Sequence, residues 1–100
     1  MICENILEAI GHTPVVRLNR IPKEGSAEII VKAEFLNVGG SIKTRTAMNM
    51  LRQAEDVGLI GPESIIVDPT SGNQGIGLAL VGAVRGYRTI IIMPDSVSEQ

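Results

Sequence analysis

The strongest constraint on the fold is a strand–helix–strand run in the second half of the chain. Ser64-Ile65-Ile66-Val67-Asp68 and Thr89-Ile90-Ile91-Ile92-Met93 are unalternating, β-branched runs, the pattern of parallel strands buried on both faces. Between them, residues 75–84 carry Gly75, Gly77, Ala79, Gly82 and Ala83 and predict a helix that can lie close against a sheet, stopped by Gly86. Strand, crossover helix and strand at this spacing form a βαβ unit with parallel strands. The expected fold class is therefore α/β.

Open sheets of this kind bind ligands beyond the carboxyl ends of their strands, at helix N-termini. Here that place is taken by Pro69-Thr70-Ser71-Gly72-Asn73-Gln74-Gly75. Exposed N–H groups and the helix dipole make such a loop an anion site. Thr70 and Ser71 add hydroxyls, Asn73 and Gln74 add amides, and Gly72 lets the backbone approach a ligand. A carboxylate or a phosphate fits this set. Taken alone, the loop also reads as a polar cap followed by packing glycines. The spacing of Gly72, Gly75 and Gly77 departs from Gly-x-Gly-x-x-Gly, and no glycine stands directly before Lys43, which excludes both common nucleotide loops.

A second organising stretch is Asn37-Val38-Gly39-Gly40-Ser41-Ile42-Lys43-Thr44-Arg45. Consecutive glycines permit a tight turn at positive φ, and Ser41 sits where a helix N-cap belongs. Ala47, Met50, Leu51, Ala54 and Val57 then recur on one helical face up to Gly58, a C-cap. Lys43 falls in the first turn. A helix N-terminus disfavours an ammonium group, and Arg45 nearby adds to the disfavour, so Lys43 is expected to release its proton more readily than an exposed lysine. Covalent carbonyl chemistry at an amine needs that property. At this level a phosphate-binding or solvated lysine is an equal alternative.

Ahead of these loops, Ile2, Ile6, Ala9 and Ile10 predict a short amphipathic helix ending at Gly11. Residues 15–18 and 27–36 predict strands that flank a turn at 22–26 and form a hairpin, with His12 as a linker residue. A further helix is expected to begin at 96–100. The net charge of -2 and the near absence of aromatics (Trp 0, Tyr 1, Phe 1) argue against nucleic acid as a partner. Cys3 is the only cysteine, so no intrachain disulfide forms, no metal site is expected, and a reducing, cytoplasmic compartment fits. No signal peptide or membrane anchor is indicated.

Together the loops are far more specific than either alone. Asn-Val-Gly-Gly-Ser-Ile-Lys-Thr-Arg at 37–45, Pro-Thr-Ser-Gly-Asn-Gln-Gly-Ile-Gly-Leu-Ala at 69–79 and Ile-Gly-His-Thr-Pro-Val-Val-Arg-Leu at 10–18 resemble the cysteine synthase family of fold-type-II pyridoxal-phosphate enzymes, which is tryptophan synthase β-like. The resemblance runs the length of the chain but spans only the N-terminal third of such an enzyme.

The resemblance implies that Lys43 bonds covalently to pyridoxal 5'-phosphate. It implies that Asn73 binds the cofactor's phenolic oxygen, and that Thr70, Ser71, Gly72 and Gln74 hold the substrate carboxylate. The implied reaction is β-elimination or β-replacement on a small-molecule, β-substituted amino acid through an α-aminoacrylate, with Lys43 as the proton carrier. Residues 1–36 would pack as a helix and hairpin on a larger domain, and residues 37–100 would begin the small α/β domain that carries Lys43. The full-length protein is expected to be a homodimer, and the 100-residue segment alone inactive. Val38, Thr44 and Gln74 stand where the family commonly has Pro, Asp and Thr. Gln74 lies in the carboxylate loop. It leaves open a β-eliminating lyase, a diaminopropionate synthase or the pyridoxal-phosphate subunit of 2-amino-4-oxopentanoate thiolase. A non-catalytic binding or regulatory module that kept the fold is the alternative of a different class.

Overall fold

A computed structural model describes residues 1–70 and 72–95. The chain runs through a 3-10 turn (Ile6–Ala9), strands β1 (Val15–Arg17) and β2 (Ile30–Lys32), and two further 3-10 turns (Glu34–Leu36 and Val38–Gly40). Helix α1 (Lys43–Asp56), strand β3 (Ile65–Pro69), helix α2 (Asn73–Arg85) and strand β4 (Arg88–Ile92) follow. β3 and β4 pair in parallel, Ile65 opposite Arg88 through Pro69 opposite Ile92. The α/β class and the βαβ unit expected from the sequence are both present. β1 and β2 form the expected antiparallel hairpin, with Val15 opposite Lys32. The two sheets do not join.

The core lies where α1 crosses α2. Ala47 and Leu51 of α1 meet Leu78 and Val81 of α2, with Leu7 closing one end and Ile66 and Ile91 of the sheet packed beneath. Leu51→Ala at such a position typically costs about 2–5 kcal/mol. Gly58 ends α1 at φ 74 and Gly86 ends α2 at φ 82, as their positions in the sequence predict. The Tyr87 N–H donates to the Gly82 carbonyl at 2.8 Å and satisfies one of the orphan carbonyls of α2.

Several expectations are corrected. The N-terminal helix is a single 3-10 turn with Leu7 buried, while Ile2 is 97% exposed. Asn5 caps it from one side and Ile10 is already extended at ψ 134, so the turn ends before Gly11. The strand expected over 27–36 is shorter, because Ala33 leaves the extended region (ψ 74) and Glu34–Leu36 coils back toward α1. On α1, Met50 and Val57 are exposed at 51% and 78%; Thr44 takes the buried place one turn ahead of Ala47. β3 and β4 alternate between half-buried and exposed residues rather than being covered on both faces, since α2 packs on one face only. The helix expected at 96–100 lies outside the described residues.

Candidate active site

The Val38–Gly40 turn delivers the chain into α1. Gly39 and Gly40 both take positive φ, 81 and 82, which any side chain would strain. Gly39 has a second reason to be glycine: a Cβ there would stand 2.5 Å from Thr44 Oγ1. Asn37, buried, organises this entry. Its Oδ1 accepts from the Gly11 N–H at 2.9 Å and its Nδ2 donates to the Ser41 carbonyl at 2.8 Å.

Ser41 is the last extended residue before α1 (φ -157), and its Oγ accepts from the Lys43 N–H at 3.1 Å. The cap position itself falls one residue later than the sequence predicts, at Ile42, which is already helical (φ -65, ψ -21) and has no side-chain cap bond. Lys43 is therefore the first residue of α1, and it is exposed. Arg45 behaves differently from its sequence reading. Its Nε donates to Glu34 Oε1 at 2.5 Å, and its Nη2 donates to Glu34 Oε2 (3.1 Å), the Gly11 carbonyl (2.9 Å) and Thr13 Oγ1 (3.1 Å). Its charge is matched by Glu34 rather than left to act on Lys43. The Arg45 guanidinium, and then the Thr13 hydroxyl, hold the Glu34 carboxyl down at about 2 from its ordinary 4.5.

The second loop lies beyond β3. The Thr70 N–H continues the ladder to the Ile92 carbonyl at 2.9 Å, and Thr70 shares an open cleft with Pro69, Ile92, Met93 and Pro94 at the carboxyl ends of both strands. α2 starts two residues earlier than the sequence predicts, at Asn73. Asn73 and Gln74 therefore belong to the first helical turn rather than to the loop. Gly72 occupies the N-cap and has no side chain to satisfy the first-turn N–H groups, which suits an anionic ligand. Ser71 lies outside the described residues.

Glycines bring the two loops together. A Cβ on Gly77 would stand 2.9 Å from the Lys43 carbonyl oxygen, and one on Gly75 would stand 2.6 Å from Thr70 Cγ2. The first turn of α1 thus rests against the first turns of α2. Gln74 reaches across to α1, with Nε2 3.7 Å from Met50 Sδ. Met50 lies seven residues beyond Lys43, two turns along the same helical face. Lys43 thus meets α2 at Gly77 and Gln74 meets α1 at Met50, while Thr70, Gly72 and Asn73 lie at the junction of β3 and α2.

Sequence reasoning missed the roles of Asn37, Glu34 and Thr13, and took Arg45 for a neighbouring charge only. An asparagine heading a Gly-Gly stretch was the available signal for Asn37; Glu34 and Thr13 meet Arg45 only through long-range folding. Among the described residues, no group of three or more His, Cys, Asp or Glu side chains could hold a metal ion. No helix among them is long and apolar enough to cross a membrane.

Residues 6–100 match the family described as pyridoxal-phosphate dependent enzyme. Cystathionine beta-synthase of Apis mellifera is 54% identical over 101 residues, which cover 99% of this chain and 20% of that protein. Probable cysteine synthase of Bacillus subtilis (strain 168) is 48% identical over 99 residues, 99% of this chain and 32% of that one. The crystal structure of O-ureido-L-serine synthase superposes with a TM-score of 0.92 at 46% identity, covering 98% of this chain and 31% of that chain. The chain spans 20% to 32% of the length of these relatives.

Proposed function

This chain belongs to the pyridoxal-phosphate dependent enzymes, and we propose that it is the lysine-bearing part of one that exchanges or eliminates the β-substituent of an amino acid. The observation that carries the reading is the close contact between the start of α1 at Lys43 and α2 at Gly77, one turn into a helix whose N-terminus has no side-chain cap. It sets the backbone of Lys43, a residue with an exposed side chain, against the helix into which the anion-receiving loop leads. The names of the relatives support the reaction class. Cystathionine, cysteine and O-ureido-L-serine are all amino acids with a heteroatom on Cβ.

The donor set fits the cofactor. Lys43 offers an amine for its aldehyde, and Asn73 offers an amide to its phenolic oxygen. When bound, pyridoxal phosphate supplies an electron sink that acidifies the substrate Cα–H. Thr70, Ser71, Gly72 and Gln74 hold the substrate carboxylate through hydroxyl, amide and backbone donors. Lys43 Nζ takes the proton from Cα and returns it to Cα after the β-substituent has been exchanged. Residues 1–36 serve a larger domain, and residues 37–100 open the small one.

The testing experiment is borohydride reduction of the full-length protein with pyridoxal phosphate, followed by peptide mapping. Fixation at Lys43, with loss of both fixation and the visible absorption band in Lys43→Ala, is the expected result. A Lys43→Ala variant that kept both would overturn the assignment. A band in the parent also separates this reading from a non-catalytic module.

A further inference from the structure

Arg45 stands two residues after Lys43 in the first turn of α1, yet all its described side-chain hydrogen bonds leave the α/β unit. They run to Glu34, two residues after β2, and to Thr13 and Gly11, two and four residues before β1. These are the two ends of the hairpin. Thr13 Oγ1 in turn donates to Glu34 Oε2, and Lys32 Nζ donates to the Thr13 carbonyl at 3.2 Å. Gly11, at φ 89, leaves the room: a Cβ there would stand 2.9 Å from Arg45 Nη1. The hairpin strands make no extensive contact with α1, α2, β3 or β4. The hairpin is therefore tied to the lysine helix through its ends, by this cluster and by the Asn37 bridge from the Gly11 N–H to the Ser41 carbonyl.

We propose that Arg45 is a positioning residue for Lys43, clamping the first turn of α1 to the two ends of the β1–β2 hairpin through Glu34, Thr13 and the Gly11 carbonyl. The proposal rests on the reading of Lys43 as the cofactor lysine. An arginine fork is suited to the task, because its planar donors fix direction as well as distance. The side chains are partly shielded, Arg45 at 35% and Glu34 at 19% exposure, so the pair is screened less than a pair in open water. Arg85 with Glu55 offers a natural comparison, an ion pair joining the far ends of the same two helices.

The test compares Arg45→Met, Glu34→Gln, Arg45→Lys and Arg85→Met in the full-length protein. Two quantities are read: visible circular dichroism per bound pyridoxal phosphate, and the rate at which trinitrobenzenesulfonate modifies Lys43 in the cofactor-free protein. Arg45→Met and Glu34→Gln should lose much of the ellipticity per bound cofactor and change the Lys43 rate severalfold. Arg45→Lys keeps the charge but not the fork and should restore neither quantity fully. Arg85→Met should lower the unfolding midpoint and move neither. Equal behaviour of the Arg45 and Arg85 variants, or parental values in both Arg45→Met and Glu34→Gln, would overturn the clamp. Borohydride fixation in the parent is scored separately. If it fails, the cofactor reading falls, and the clamp is decided by the Lys43 rate alone.

Discussion

The backbone carbonyl of Lys43 lies against Gly77, at a distance that leaves no space for a methyl group: a Cβ there would stand 2.9 Å from the oxygen and 3.2 Å from Ala47 Cβ. Both neighbours are helix backbone or its first side-chain atom, so neither can swing aside. Gly77→Ala should therefore push α1 off α2, destabilising the fold by about 1–3 kcal/mol as overpacked cores do and lowering fixation of cofactor at Lys43. Gly61→Ala, with nothing within 4 Å of its Cβ, is the control. Urea unfolding and borohydride fixation on both variants check the prediction, and parental behaviour of Gly77→Ala would refute it.

Glu34 makes the fold acid-sensitive in a defined window. Its carboxyl is held at about 2 against an ordinary 4.5, so it binds its proton more weakly in the native state than in the unfolded one. Its contribution is fully present above 4.5 and is lost as pH falls toward 2. The difference in unfolding midpoint between the parent and Glu34→Gln should be flat above that window and shrink within it. Glu55, whose carboxyl is lowered first by Tyr87 and then by Arg85, acts on both proteins alike and cancels in the difference. A difference that stayed flat through the window would contradict the assignment.

Gln74 is expected to set substrate preference. Its amide lies 3.7 Å from Met50 Sδ, a weak acceptor that a better partner on a substrate can replace. Threonine at this position would offer only a short hydroxyl. Gln74→Thr should reorder activity over a panel of β-substituted amino acids and nucleophiles, away from larger polar partners and toward O-acetylserine with sulfide. An unchanged order would make ordinary cysteine synthesis the better reading.

The 100-residue segment by itself should neither unfold cooperatively nor turn over amino acids. Its two sheets have two strands each and do not join, too few for independent stability. Ile65, Val67, Ile90 and Ile92 leave one face of β3 and β4 exposed by 40% to 55%. Thermal unfolding of the segment followed by circular dichroism, with an amino-acid turnover assay beside it, tests this. A sharp transition together with turnover would refute it.

Local chemistry determined much of the architecture. The β-branched runs specify β3 and β4, Gly58 and Gly86 specify helix ends because only glycine adopts those φ values at little cost, and Ser41, whose Oγ accepts from the Lys43 N–H, marks the approach to α1 to within one residue. Those signals are short-range, so they can be read residue by residue. They were enough to place Lys43 at a helix start and Thr70, Gly72, Asn73 and Gln74 at the next one.

Only the tertiary structure decided what those residues face. Periodicity ranked Met50 with Ala47 and Leu51, yet Met50 is 51% exposed and instead receives Gln74, because α2 crosses α1 at the glycine where the backbones meet. Arg45 looked like a charge beside Lys43 until folding brought Glu34, eleven positions earlier, onto its guanidinium. A sequence records which groups can pair; the path of the chain through Gly11 and the Gly39-Gly40 turn selects which ones do.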